Sequence, residues 1–335
     1  MRAREPDREG YVERDGVRLW HEVYGAGETT IMLIPGWSLP LRSWKAQIPY
    51  LSRHFRIIAF DPRGTGRSDR PGGTSAYALR EHTADAVAVM DAAGARSVVM
   101  LAKSRGAQTA LALAGDDPAR VEAVVAAAPM VPLSPWLPLD SIWSTFEEPS
   151  AGARQRRAVR ASLAGGRQLI RSRDLQRFSR RVNPLEAADR FSRQGMLDDY
   201  DGFTEWFVTQ IVATDPHATK QIEDTIAWNT STGAQAAADS FMGDCIRDVA
   251  AARALCGRVS QPVLVIHGEC DLTVPLEWGT RLAELTGGRL FVVPGAGHLP
   301  GGRYPVVVNL AVREFVDSLR GRSDESAGHP RGAAR

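Results

Sequence analysis

The sequence predicts an α/β protein: a mostly parallel eight-stranded sheet with helices on both faces and an inserted helical lid. Three observations carry this. Short apolar runs, too short for helices and several rich in β-branched residues, recur along the chain. Helical patterns lie between many of them, and strand alternating with helix implies parallel pairing. The alternation then stops over one long internal stretch, between about Met130 and Leu255.

The elements follow in order. Tyr11–Glu13 and Val17–Tyr24 are strand-like and flank Asp15-Gly16, a strong hairpin turn. Thr30–Ile34, Arg56–Phe60, Ser97–Ala102, Ala123–Ala127, Val263–His267 and Arg289–Val293 read as buried strands. Leu79–Ala93 has apolar side chains at helical spacing and ends at Gly94, and Arg105–Ala114 follows the third of the parallel runs. Leu276–Leu285 and Pro305–Leu319 follow the last two runs. The interruption opens with Pro132, Pro135, Trp136 and Pro138 and continues as amphipathic helical patterns. The expected organisation is an N-terminal extension over 1–10, a core over 11–130 and 255–320, a helical lid over 131–254, and a disordered Gly/Ser/Pro/Arg tail over 321–335. No internal repeat is visible.

Composition bounds the function. With 335 residues, 44% of them hydrophobic, the chain can build a sizeable core. Its 41 basic and 39 acidic residues nearly cancel, which excludes charge-driven disorder and gives no reason to expect nucleic acid. The basic set is lopsided: Lys45, Lys103 and Lys220 are the only lysines. Twelve arginines against three acids fall in Ala151–Arg193, which reads as a solvated basic face, with an anionic ligand as the alternative. Three cysteines are too few for a disulfide framework. The first ten residues hold charges of both signs and no apolar segment, and no apolar run approaches the ~18–20 residues of a membrane span, so a cytoplasmic protein is expected. Phosphate-loop, dinucleotide and metal-ligand spacings are absent, so no cofactor and no metal are expected. The expected partner is a small-molecule substrate, with neither nucleic acid nor membrane, and no pattern speaks to oligomeric state.

Chemistry concentrates at Ala102-Lys103-Ser104-Arg105-Gly106, a sharp turn between strand and helix. It matches Gly-x-Ser-x-Gly with Ala in the first glycine place, where small residues let strand and helix close around a strained serine. A helix N-cap is the plainer reading of Ser104. A serine hydroxyl needs a base, and the base needs an orienting acid. His298 and Asp271 each lie just past the C-terminal end of an expected strand, the edge where open α/β sheets form sites. The chain order is Ser, Asp, His.

On these motifs the chain resembles a lid-bearing serine hydrolase of the α/β-hydrolase superfamily, in its esterase and epoxide-hydrolase-like branch, over roughly Tyr11–Leu319. Leu33-Ile-Pro-Gly-Trp37 resembles the family's oxyanion loop, with Pro35 where histidine is frequent. Asp61–Ser68 resembles the turn after the fourth strand and reads as structural, with Arg63 bracing its neighbours. The resemblance implies Ser104 as nucleophile, His298 as acid and base, and Asp271 as the orienting acid. Family spacing favours Asp271 over Glu269, and Asp140 is the remaining candidate. Two backbone N–H groups, of Trp37 and Arg105, form the implied oxyanion hole.

Trp37, Trp136, Trp143, Phe146, Trp206, Phe207 and Trp228 are candidate pocket walls, with lid core as the plainer reading. Lys103 and Arg105 read as a salt bridge or a solvent-directed stem on the outer side of the turn, with a charge role as the alternative. His267 reads as a packed core group, Cys270 as a small filler, and His21, His54, His82 and His329 as ordinary histidines. The function this implies is cleavage of an ester or related acyl bond in a small, partly apolar molecule through an acyl-enzyme. Family members that open epoxides use an aspartate nucleophile, which counts against that reaction. Carbon–carbon bond hydrolysis, acyl transfer or cyclisation, and non-catalytic binding on the same fold are the alternatives.

Overall fold

The computed structural model describes residues 4–134, 190–212, 214, 218–243 and 245–327. Trp136, Asp140, Trp143, Phe146 and most of the arginine-rich stretch lie outside the described residues.

Eight strands form one sheet: β1 (Arg8–Arg14), β2 (Val17–Tyr24), β3 (Thr30–Ile34), β4 (Arg56–Phe60), β5 (Val98–Lys103), β6 (Val121–Ala127), β7 (Val263–Gly268) and β8 (Arg289–Val293). Their spatial order is β1-β2-β4-β3-β5-β6-β7-β8. The β1/β2 and β2/β4 pairs are antiparallel, and every pair from β4 to β8 is parallel. The Asp15-Gly16 turn has positive φ at both residues, the backbone that a two-residue hairpin demands.

The continuous apolar runs are explained by burial on both faces. Met32 and Ile34 of β3, with Met100 and Ala102 of β5, face one core. Ile31 and Leu33, with Val99 and Leu101, face the other. Helices α1 (Leu79–Ala93), α2 (Gly106–Asp116), α7 (Val249–Cys256) and α8 (Leu276–Thr286) cover the first face. The long C-terminal helix α9 (Pro305–Ala327) covers the second, inserting Val308, Val312, Phe315 and Val316. Gly94 ends α1 in the left-handed conformation, as its position after the last periodic residue requires.

Between β6 and β7 the described residues contain helices and no strand: α3 (Arg193–Asp198), α4 (Tyr200–Ile211), α5 (Thr219–Thr230), α6 (Ala234–Met242) and α7. Helices α3, α4 and α6 carry their own aromatic cluster, with Phe191, Tyr200, Phe203 and Phe241 buried together. Helix α7 differs, because Ala252, Leu255 and Cys256 belong to the sheet's core, so a boundary at 254 falls inside a core helix. An alanine, a leucine and a cysteine at helical spacing look alike in either setting; only packing against α2 separates them.

The C-terminal helix also corrects the expected tail. It continues to Ala327, past the boundary at 320. Helix propagation adds one hydrogen bond per residue, and the Arg322–Ala327 segment contains neither glycine nor proline. No helix among the described residues is long and apolar enough to cross a membrane.

Candidate active site

Ser104 follows β5 at the C-terminal edge of the parallel strands. Its φ is +49°, in the left-handed region that a side chain enters only at a cost. The turn is locked from three sides. Ser104 N–H donates to the Ala127 carbonyl at 2.9 Å, and its own carbonyl accepts from Ala107 and Met130 at 3.1 Å each. Gly106 is obligatory, since a Cβ there would lie 2.3 Å from the Pro35 carbonyl oxygen. Ala102, in the other small-residue place, is fully buried and accommodated. The N-cap reading fails: Arg105 caps α2, no side chain caps it, and the Ser104 hydroxyl points elsewhere.

That hydroxyl meets His298. Ser104 Oγ is 3.0 Å from His298 Nε2, and His298 Nδ1 is 2.8 Å from Asp271 Oδ2. His298 sits on the loop after β8 and Asp271 on the loop after β7, so parallel pairing of β5–β8 lines up their exits. The acid is well held. Its Oδ1 accepts from Thr273 N–H at 2.8 Å and from Val274 N–H at 2.9 Å. Burial opposes its ionisation, but the facing His298 and His267 rings outweigh that and hold the carboxyl well below the usual range. Glu269 turns away and accepts from Gly295 N–H at 3.0 Å.

His267 is more than a core filler. Its Nε2 lies 3.1 Å from the Val274 carbonyl and 3.3 Å from Asp271 Oδ2, and the residue is fully buried. The signal was its place at the end of β7, four residues before the acid. Gly279 makes room for it, since a Cβ there would fall 2.4 Å from His267 Nδ1.

The Pro35-Gly36-Trp37 loop approaches the same serine. A Cβ on Gly36 would lie 3.3 Å from Ser104 Cβ. Among the described residues neither the Trp37 nor the Arg105 backbone N–H has a protein acceptor. Trp37 Nε1 donates to Ser240 Oγ at 3.0 Å, tying the loop to α6. A cavity of about 60 Å³ beside the loop is lined by Trp37, Arg105, Tyr77, His82 and Gln108 among others. Burial pulls the His82 imidazole down to about 3, aided by Arg105 and Arg63.

The turn after β4 is a brace. Asp61 accepts from Leu41 and Arg67 N–H at 2.7 and 2.8 Å. Arg63 grips Asp85 of α1 through two hydrogen bonds of 2.6 and 2.7 Å. Gly66 has positive φ and no space for a Cβ beside the Asp61 carboxylate.

The aromatic candidates divide. Trp37 contacts Phe203, Phe207 and Phe241 edge-on, and Trp206 and Phe207 pack on Phe191 in the same cluster. Trp228 instead lines a second cavity of about 230 Å³, which His298 also lines. The readings of the two flanking cations as ion-paired or solvent-directed are corrected. Lys103 Nζ donates to the Ser43 carbonyl at 2.8 Å and lies 4.0 Å from the centre of the Trp44 ring. Arg105 buries an Nη1 with no partner among the described residues. Period-two alternation decides this for Lys103: it follows Val99 and Leu101 onto the face that holds Trp44.

A mostly parallel sheet flanked by helices, with a strained serine turn at the C-terminal end of a central strand, places the protein among the doubly wound α/β proteins. More narrowly, residues 29–301 match the α/β hydrolase fold family, and the chain belongs to it. It is 28% identical over 330 residues to epoxide hydrolase A of Mycobacterium tuberculosis, covering 93% of this chain and 98% of that one. A shorter match, 34% over 105 residues, is to a 2-heptyl-3-hydroxy-4-quinolone dioxygenase of Rhodococcus erythropolis; it spans 30% of this chain and 38% of that protein. The bromoperoxidase structure from Bacillus anthracis superposes with a TM-score of 0.69 at 20% identity, over 92% of this chain and all of that one.

Proposed function

We propose that the protein is a serine hydrolase that cleaves an ester or related acyl bond of a small, partly apolar molecule. The observation that carries this is the Ser104–His298–Asp271 hydrogen-bonded chain at 3.0 and 2.8 Å. Ser104 Oγ attacks the acyl carbon while His298 Nε2 takes its proton. Asp271 fixes the ring with Nδ1–H toward the carboxylate and stabilises the imidazolium. The Trp37 and Arg105 N–H groups hold the oxyanion. Collapse expels the alcohol, which receives the proton from His298, and water repeats the sequence on the acyl-enzyme. A serine on the elbow, where an epoxide-opening member has an acid, favours acyl transfer to water over epoxide opening. In this reading the described helices α3, α4 and α6 belong to a cap whose aromatic cluster closes over the oxyanion loop at Trp37.

The test is labelling with a fluorophosphonate. Wild-type protein should be labelled at Ser104 and should hydrolyse short p-nitrophenyl esters. Ser104→Ala should lose both. Retained turnover in Ser104→Ala, or a wild type that is neither labelled nor active, would sink the acyl-enzyme.

A further inference from the structure

The 41 basic residues include only three lysines, and all three line one cavity. A sequence that uses arginine everywhere else retains a slender primary ammonium only around this chamber. The chamber is about 230 Å³ and lies between the Leu41–Gln47 segment, α5, the 298–303 loop and the end of β5. The three lysines occupy different depths. Lys45 and Lys220 sit at the more exposed rim, where both pair with Asp224 of α5, the acid among the lining residues. Lys103 is inside, next in sequence to Ser104, and has no carboxylate partner among the described residues.

The other polar lining is rich in donors. Trp44 and Thr225 are 2% and 1% exposed, yet Trp44 Nε1 and Thr225 Oγ1 have no hydrogen-bond partner among the described residues. Ser43 Oγ and Arg303 Nε are likewise buried without partners. Leaving such groups unmatched costs free energy that a bound acceptor recovers. Leu39, Trp228, Leu299 and Val308 supply apolar walls. The Lys103 ammonium and the Arg303 guanidinium, with neutral donors and an apolar lining, match a planar carboxylate better than a phosphate, whose additional oxygens and charge would face the apolar walls.

We propose that this chamber is the subsite for a carboxylate carried by the substrate, with the Lys103 ammonium as its ion partner and Trp44 Nε1–H as a supporting donor. The inference deepens the serine-hydrolase reading by naming a substrate class, acids esterified at a second position. Burial, which pulls the Lys103 amine down to about 7, is consistent with a cation kept for a ligand to neutralise.

Two measurements test it. The first compares kcat/KM for the mono-p-nitrophenyl ester of glutaric acid with that for p-nitrophenyl pentanoate, which differ by the terminal carboxylate. The ratio of acid-bearing to neutral ester should be well above one in wild type and should fall tenfold or more in Lys103→Met. An equal ratio in the two proteins overturns the subsite. The second is calorimetric titration of pentanoate, pentanamide and inorganic phosphate into Ser104→Ala. Pentanoate should bind at least tenfold tighter than pentanamide, and adding Trp44→Phe should narrow that gap. Equal affinity for acid and amide, or tighter binding of phosphate, overturns the proposal. The titration requires no turnover. A carboxylate preference in a protein that fluorophosphonate fails to label would keep the subsite and end the acyl-enzyme reading. Should Lys103→Met fail to fold, the acid-against-amide comparison in Ser104→Ala decides alone.

Discussion

Asp271 shows how much a single carboxylate is asked to do. It accepts two backbone N–H groups on one oxygen and faces two imidazoles with the other. Asp271→Asn keeps the shape but turns a donor toward His298 and favours the wrong tautomer. A loss of about 10³–10⁴-fold in kcat at neutral pH, with KM little changed, is expected from steady-state kinetics on an ester substrate. Lys103 gives a second residue-scale expectation. Its amine falls from 10.5 to about 7 in the folded protein, so it is cationic below pH 7 and neutral above. Binding of a carboxylate should be strongest below that point and weaken as the pH rises through it. His298, Lys45, Lys220, Asp224 and Arg303 line the same chamber, so the Lys103→Met profile supplies the baseline. The linkage to stability has the opposite sign. Between pH 7 and 10.5 the unfolded chain holds a proton that the folded chain does not, so this group makes stability rise with pH across that window. Lys103→Met should therefore raise Tm at pH 7 by on the order of a few degrees, measured by calorimetry, while weakening the preference for acids.

At the scale of elements, the strand–turn–helix around Ser104 leaves little freedom. Gly106→Ala places a methyl 2.3 Å from the Pro35 carbonyl oxygen, and backbone cannot move aside as a flexible side chain could. Destabilisation of about 1–3 kcal/mol or more is expected in urea titration, with activity lost beyond what unfolding explains, because Pro35 opens the loop that packs against Ser104. These constraints made the elbow, the acid loop and the histidine loop legible in sequence. Each is a local backbone requirement that restricts residue type at fixed spacing. Strand bounds were legible to within a few residues, and β3, β4 and β8 coincide with the expected ranges because turn residues flank them. The orientation of Lys103 was not legible. It depends on Trp44, 59 positions earlier, being carried beneath β5 by the sheet order.

Across the whole molecule, the described cap helices have a small separate core, while the sheet has two large ones. The polar links between them include Trp37 to Ser240, Ser38 to Tyr200, Gly73 N–H to Asp239, Arg70 to the Ser231 and Thr232 carbonyls, and Lys45 to Asp224. Native-state hydrogen exchange should find α4–α6 opening at lower free energy than β3, β5 and β6. Equal protection in both regions would show that cap and sheet unfold as one unit.

By itself the sequence determined the layered α/β architecture, the chain order of Ser104, Asp271 and His298 at successive strand ends, and the place of the interruption between β6 and β7. Burial periodicity and turn chemistry are local, and local patterns are written in consecutive residues. The tertiary structure alone decided that α7 belongs to the sheet's core, that His267 shares the acid with His298, and that the three lysines surround one chamber. These are contacts between residues far apart in the chain, and their energies depend on which faces the sheet order brings together.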